Sequence, residues 1–196
     1  MKKTLIVLGA LLLVSVMASA QISSPYLVDY YSNNAGPVPG APDQVLRLVN
    51  TGELGTPLTS PTGDVCSNIY VFDNNQEMIA CCSCRTTPNE LASASIGTQL
   101  TNNPVTSVVP TYGVIKVINS IPAGGCNPTA VGQLTDSIVG FQTHLQATGG
   151  ATFVTETNVP GATLSAAEFG FLQTACSFAH YLGSGKGTCS CTVPGH

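Results

Sequence analysis

The chain has 196 residues, 43% of them apolar and only 8% charged, with a formal net charge of −4. The apolar fraction excludes an intrinsically disordered chain, because such chains bury too little apolar surface to fold. The few basic residues exclude a surface that neutralises phosphates, so nucleic acid is not an expected partner.

Residues 1–20 follow the order of a cleavable secretory signal peptide. Lys2 and Lys3 open the segment, an apolar run extends from Leu5 to Met17, and small residues close it at Ala18-Ser19-Ala20. The apolar run is shorter than the roughly 20 residues needed to cross a bilayer. We therefore expect a secreted or extracellular protein, in the periplasm or at the cell surface as alternatives, without membrane insertion after signal cleavage.

An N-terminal arm at residues 21–43 precedes the main domain. Its segment "YLVDYY" at 26–31 has the composition of a strand, and "SNNAGPVPGAPD" at 32–43 has the prolines and glycines of a linker. A strand on such a hinge can pair with a sheet edge of its own domain or of a neighbouring copy. Folding back is favoured by high effective concentration, whereas crossing to a neighbour would produce filaments.

Short strand-like runs separated by turn residues fill the domain predicted at residues 44–196. The best hairpin lies at 66–84, where "CSNIYVFD" and "EMIACCSC" flank Asn74-Asn75, a dipeptide that tolerates the positive φ of a tight turn. Regularly spaced strands predict an antiparallel β-sandwich, Ig-like in general architecture, rather than a parallel βαβ sheet. The other predicted strands lie at 45–50, around 93–100, and at 113–119, 137–146 and 151–157.

One C-terminal helix is predicted over residues 165–181. Ser165, with Glu168 three residues later, forms a capping box at its start. The helix has one broad apolar side, which predicts that it packs on a sheet. The side chains expected to be buried there are Phe169, Phe171 and Leu172, with Cys176 on the same side and Gln173 on the polar face.

Eight cysteines, an even number in a chain expected to be exported, predict a framework of disulfides. Their pairing stays open, since eight cysteines allow 105 connectivities. The hairpin brings Cys66 beside Cys82 or Cys84, and Cys176 faces either Cys126 or one of the cysteines at 81–84. Cys189 and Cys191 would attach the C-terminal tail to the sheet. The predicted disulfide cysteines are Cys66, Cys81, Cys82, Cys84, Cys126, Cys176, Cys189 and Cys191.

No metal, cofactor or catalytic residue is predicted. Cys-x-Cys spacing is tighter than the usual zinc knuckle, and no Cys-x-x-Cys redox motif occurs. The histidines, His144, His180 and His196, are expected to be solvated or hydrogen-bonded in an ordinary way. Ten acidic residues are scattered along the chain, and nothing singles out two of them as a hydrolytic pair.

The order of several segments resembles a group of uncharacterised secreted bacterial cysteine-rich proteins. These segments are "NIYVFDNNQEMIACCSC", then "GVIKVINS", then "TLSAAE" ahead of a helix, and a closing "GSGKGTCSC". The resemblance covers most of residues 45–191, and its specific parts are the CCxC hairpin and the C-terminal CxC tail. It implies export and a common fold, and it brings no activity or site residue.

Two hypotheses of function follow. The first is a secreted, non-enzymatic structural or surface-interaction protein that self-assembles through its N-terminal arm, with other copies of itself or cell-surface components as partners. The alternative is a small secreted hydrolase or glycan-binding module. A deep pocket with convergent carboxylates or a histidine would favour an enzyme. An uncovered sheet edge or a flat apolar patch would favour interaction.

Overall fold

The computed structural model of the protein describes residues 24–32, 43–55, 62–101, 110–148 and 151–181. The signal peptide predicted at 1–20 and most of the predicted linker lie outside these ranges. Within them the chain forms β-strands, an α-helix and a π-helical turn at Ile96–Leu100. The strands and helix are β1 (Tyr26–Ser32), β2 (Val45–Asn50), β3 (Val65–Asp73), β4 (Met78–Thr86), β5 (Leu91–Ser95), β6 (Tyr112–Ser120), β7 (Ile138–Thr148), β8 (Ala151–Asn158) and α1 (Ala166–Tyr181).

The strands form two antiparallel four-stranded sheets. The first sheet has the order β1-β6-β3-β4 and the second has the order β5-β2-β7-β8. The helix α1 packs on the outer side of the first sheet. The predicted fold, a mainly β antiparallel sandwich with one C-terminal helix packed on it, is confirmed. No helix within the described ranges is long and apolar enough to cross a membrane.

Alternating side chains build the core between the sheets. In β2 every second residue is buried, so Leu46 and Leu48 face the first sheet while Arg47 points outward. Burial of each such side chain stabilises the fold by about 1.5–3 kcal/mol. The first sheet contributes, among others, Leu27, Tyr31, Ile69, Val71, Ile115 and Val117 to this core.

The β3–β4 hairpin is confirmed, but its turn is longer than a two-residue turn at Asn74-Asn75. The Asp73 carboxylate accepts hydrogen bonds from the backbone N–H groups of Asn75, at 2.8 Å, and of Glu77, at 2.9 Å. This pattern closes a wider turn, and the positive φ of 69° falls on Gln76.

The register of this hairpin contradicts the prediction that Cys66 lies beside Cys82 or Cys84. A register shift between Val71 and Phe72 pairs Cys66 with Arg85 instead. A shift of one residue moves a side chain to the opposite face of a strand, so Cys66 lies on the other face from Cys82 and Cys84.

The strand predicted around 93–100 is only partly correct, because β5 ends at Ser95 and a π-helical turn follows. Side chains stabilise this turn by bonding the backbone, which competes with sheet pairing. The Asp43 carboxylate accepts from the N–H of Gly97 at 3.0 Å, and Thr101 Oγ1 donates to Ile96 O at 2.7 Å. Ile96 and Leu100 are fully buried, so the turn also closes one end of the core.

The strand of the N-terminal arm pairs with its own domain. β1 lies antiparallel beside β6, from Tyr26 opposite Ile118 to Ser32 opposite Tyr112. Tyr31 is fully buried and donates to Phe72 O at 3.1 Å. It passes over Gly113, where a Cβ atom would lie 2.7 Å from the Tyr31 hydroxyl, so this position requires glycine. The arm strand is therefore part of the sandwich core.

Ser165 caps the start of α1, which is one half of the predicted capping box. Ser165 Oγ accepts the hydrogen bond of Glu168 N at 3.1 Å, which satisfies one free N–H of the first turn. The Glu168 carboxylate contacts Lys116 and Tyr26 on the sheet.

The buried side of α1 differs from the prediction at one residue. Leu172 and Cys176 are fully buried and Phe169 is partly buried, whereas Phe171 is 50% exposed. Phe171 precedes Leu172 by one position, about 100° around the helix axis, so it lies at the margin of the contact. Gln173 accepts a hydrogen bond from Val131 N at 3.0 Å and is not a free polar surface residue.

We expect Leu172→Ala to lower the free energy of unfolding by about 2–5 kcal/mol, because it leaves a cavity between α1 and the first sheet. The exposed Thr174 is the matched control, and Thr174→Ala should change stability by less than about 0.5 kcal/mol. Guanidinium unfolding with the disulfides intact measures both. A loss for Leu172→Ala as small as that for Thr174→Ala would show that α1 contributes little to the stability of the sandwich.

Candidate functional site

Two disulfides lie between described cysteines. Cys66 bonds Cys126, with Cα atoms 5.4 Å apart, and Cys81 bonds Cys176, with Cα atoms 5.9 Å apart. The second bond joins β4 to α1, one of the pairings that the sequence left open. The described part of the chain contains no free cysteine.

The other hairpin cysteines face the opposite way. Cys82 and Cys84 belong to the core between the sheets, whereas Cys81 belongs to the contact with α1. Cys82 and Cys84 are disulfide-bonded as well. The remaining predicted cysteines, Cys189 and Cys191, lie outside the described residues. The cysteines that the structure describes are therefore structural staples.

We expect Cys82 and Cys84 to be bonded to Cys189 and Cys191, because no other cysteines of the chain are left for them. Non-reducing digestion with mass spectrometry should find one cluster that joins β4 to the C-terminal tail. Thiol titration of the denatured, unreduced protein should find no free thiol. Peptides that place Cys189 and Cys191 in a bond to each other would contradict this pairing.

A buried acid–base pair joins the two sheets. Asp29 of β1 and His144 of β7 are both nearly inaccessible, and Asp29 Oδ2 lies 3.3 Å from His144 Nε2. The Tyr30 ring stacks on the imidazole with 4.6 Å between ring centres. Burial raises the pKa of Asp29, while a hydrogen bond from Tyr30 N and the proximity of His144 oppose that shift.

The geometry of this pair does not match a catalytic relay. A relay needs one imidazole nitrogen on the acid and the other on the nucleophile. Here Nε2 of His144 faces both Asp29 and the Thr157 hydroxyl, at 3.1 Å from the latter, and Nδ1 is buried without a hydrogen bond. Within the described ranges, no three metal-ligating side chains converge either. The pair therefore serves as a contact between sheets.

The raised pKa of Asp29 predicts a pH-dependent stability. The folded state holds the Asp29 proton more tightly than the unfolded chain does. The stability that comes from this protonation is therefore fully present below the unfolded pKa, about 3.9, and is lost as pH rises through the folded pKa. Relative to Asp29→Asn, the wild type should therefore become less stable as pH rises from about 3.

Unfolding free energies measured across pH 3–7 test this expectation. The control is Glu53→Gln, which changes an exposed carboxylate in the loop after β2. A constant difference between wild type and Asp29→Asn over that range would contradict the role of the buried carboxylate.

Exposed aromatic rings mark the part of the first sheet that α1 leaves uncovered. Tyr112 of β6 is 52% exposed and Phe171 of α1 is 50% exposed. Val114 is the next residue of β6 on the same side as Tyr112, and it lines a cavity together with Phe171. We call these three residues, Tyr112, Val114 and Phe171, the aromatic face. Tyr30 is also half exposed, but its ring lies on His144 of the second sheet.

Polar groups border the aromatic face where α1 begins. Lys116 Nζ lies 2.5 Å from Glu168 Oε1 and 4.9 Å from the centre of the Phe72 ring, which fixes the ammonium by an ion pair and a cation–π contact. The Phe171 ring stacks on Phe72 with 6.1 Å between centres. An open cavity of about 300 Å³ is lined here by Phe72, Asp73, Gln76, Val114, Lys116, Glu168 and Phe171.

Tyr26 of β1 supports the polar groups beside the aromatic face by bonding Glu168. Its hydroxyl donates to Glu168 Oε1 at 3.4 Å. Burial, together with the neighbouring Glu168 carboxylate, raises the pKa of Tyr26 well above its usual value, so the hydroxyl stays protonated as a donor. Glu168 is thereby held between Tyr26 and Lys116 on the rigid sheet.

A second cavity, of about 500 Å³, lies at the opposite end of the sheet beside Asp64 and Arg85. Arg85 Nε donates to Asp64 Oδ2 at 2.7 Å, and its Nη2 forms an ion pair with the same carboxylate. These charges pair with each other through Asp64 Oδ2, whereas Asp64 Oδ1 is buried without a hydrogen bond, and no aromatic residue lines the cavity. The aromatic face is therefore the stronger candidate for a contact with a partner.

The aromatic face was not predicted from the sequence. Phe171 was expected to be buried, and Tyr112 lies just before the strand predicted at 113–119. Whether such rings are covered depends on neighbours that are remote in the sequence, so composition cannot reveal it. The usable signal was the alternation of β6, once the inner side of Ile115 is known.

No protein-family model, curated protein or solved structure matches this chain.

Proposed function

We propose that this is a secreted, non-enzymatic surface-interaction protein that contacts extracellular glycans through the aromatic face. The observation that carries the proposal is the pair of half-exposed rings, Tyr112 and Phe171, on the outer side of the first sheet. Exposed apolar patches with a polar rim are typical of binding surfaces. The disulfides support export, because they persist in oxidising compartments outside the cytosol.

The chemistry of the aromatic face favours a glycan over an apolar protein segment. A sugar ring has a C–H face that packs on an aromatic ring, and hydroxyls around its edge that need hydrogen-bonding partners. The rings supply the first contact. Lys116, Glu168, Asp73 and Gln76 supply donors and acceptors in the adjoining cavity.

The hydrolase hypothesis has no comparable support. The Asp29–His144 pair is buried between the sheets and lacks relay geometry. The carboxylates nearest the aromatic face already have partners, since Glu168 bonds Lys116 and Asp73 bonds the β3–β4 turn. The proposed contact is not an exchange of arms between copies, because β1 is built into the core of its own domain.

We expect the protein to bind at least one of insoluble cellulose, chitin and peptidoglycan in a pull-down assay. The double variant Tyr112→Ser with Phe171→Ser should bind that polymer at least about tenfold more weakly, equivalent to about 1.4 kcal/mol. The loss is expected because each substitution removes an exposed ring and leaves the core unchanged.

The matched control is Leu91→Ala, which removes an apolar side chain that is 41% exposed on β5 of the other sheet. This variant should bind like the wild type. Binding to none of the three polymers, or equal binding by the double variant, would overturn the proposal.

A further inference from the structure

The outer edge of β1 is closed to other strands. Asn119 N donates to Pro25 O, so the β6-facing groups belong to odd-numbered residues of β1 and the outward-facing groups to Tyr26, Val28, Tyr30 and Ser32. Main-chain groups of the segment after β8 bond the outward-facing groups of Tyr26 and Val28. Ala162 N donates to Tyr26 O at 2.8 Å, and Val28 N donates to Pro160 O at 3.1 Å.

Side chains close the rest of the β1 edge. Gln142 Nε2 donates to Tyr30 O at 2.5 Å. The Gln44 amide bonds both the N–H and the C=O of Ser32. The other edges offer little room, since β4 is buried along most of its length and β5 has only five residues. A partner strand therefore cannot add at β1 without displacing these groups.

The edge of β8 is different. Val159 N donates to Gly140 O in register with the β7–β8 ladder, so the residues of β8 bonded to β7 are the odd-numbered ones. The N–H and C=O groups of Thr152, Val154, Glu156 and Asn158 point away from β7. Seven of the eight residues of β8 are exposed, and Phe153 and Val154 are 53% and 54% accessible. Unpaired edges of this kind are templates for strand addition.

We propose that β8 pairs antiparallel with β8 of a second copy of the chain, joining the two second sheets across a two-fold axis. Each copy presents the same open edge, so the contact is self-complementary and closes as a dimer. Strand addition gives the open N–H and C=O groups their partners. This inference is independent of the proposed glycan contact.

The side chains of β8 disfavour a register that opposes the two Glu156 residues and favour one that opposes apolar residues. Centring the axis on Val154 places Val154 opposite its own copy and Thr152 opposite Glu156, which buries an apolar pair. Centring it on Glu156 would oppose two carboxylates, which is unfavourable. Glu156 also has a cation in its own chain, since Arg47 lies 3.3 Å from its carboxylate. The register centred on Val154 therefore combines apolar burial with separated charges.

Proline at position 154 tests the pairing. The Val154 N–H points away from β7, so Val154→Pro removes a bond to the second copy without removing one from the β7–β8 ladder. Sedimentation of the full secreted chain should show a concentration-dependent dimer for wild type and for the control Val154→Thr. Val154→Pro should weaken dimerisation at least tenfold while its circular dichroism is unchanged. A wild-type monomer at all concentrations, or equal dimerisation by a folded proline variant, would overturn the proposal.

Cross-linking tests the register independently of folding in the proline variant. Hydrogen-bonded opposite residues have Cα atoms about 5.5 Å apart, which suits a disulfide. Val154→Cys should form a covalent dimer on mild oxidation, and Thr155→Cys should not. Absence of the Val154→Cys dimer, or cross-linking only at position 155, would overturn this register.

Discussion

Closure of β1 on both of its edges is the constraint on which the rest of the molecule depends. On one edge β1 pairs with β6, and on the other it is bonded by residues 160–162 and by two glutamine side chains. Since these outer partners come from the second sheet and its neighbouring segments, β1 links the two layers. The buried Asp29–His144 contact adds to that link. A strand attached by a Pro- and Gly-rich linker thus becomes part of the core.

This closure also decides where the molecule can meet partners. Because β1 is fixed between β6 and the groups bonded to its outer edge, that edge is unavailable to another chain. The open edge lies instead on β8, in the other sheet. The two proposed contacts therefore lie on different sheets. A dimer through β8 would carry two aromatic faces, and simultaneous attachment of both to one polymer would raise the apparent affinity through effective concentration.

The sequence predicted the parts of the fold that depend on local patterns. Alternation gave β2 at its observed bounds, and Ser165 gave the start of α1. Features that depend on a distant partner were beyond it. The register shift at Val71 and Phe72 turned Cys66 to the other face, and side-chain bonds from Asp43 ended β5 early. Exposure of Tyr30 and Phe171 likewise depends on neighbours that are remote in the sequence.

The bond between Cys81 and Cys176 has a mechanical consequence for a protein pulled between β1 and α1. These cysteines are 95 positions apart, and tension would pass through their bond rather than through the residues between them. At about 3.3–3.6 Å per extended residue, roughly 300 Å of chain is withheld from stretching. Of the described pairings of the second sheet, only β7–β8 lies wholly within this shielded loop, because β2 precedes Cys81 and pairs with both β5 and β7. Under such a load β2 would separate from the second sheet while the β7–β8 pair stayed intact.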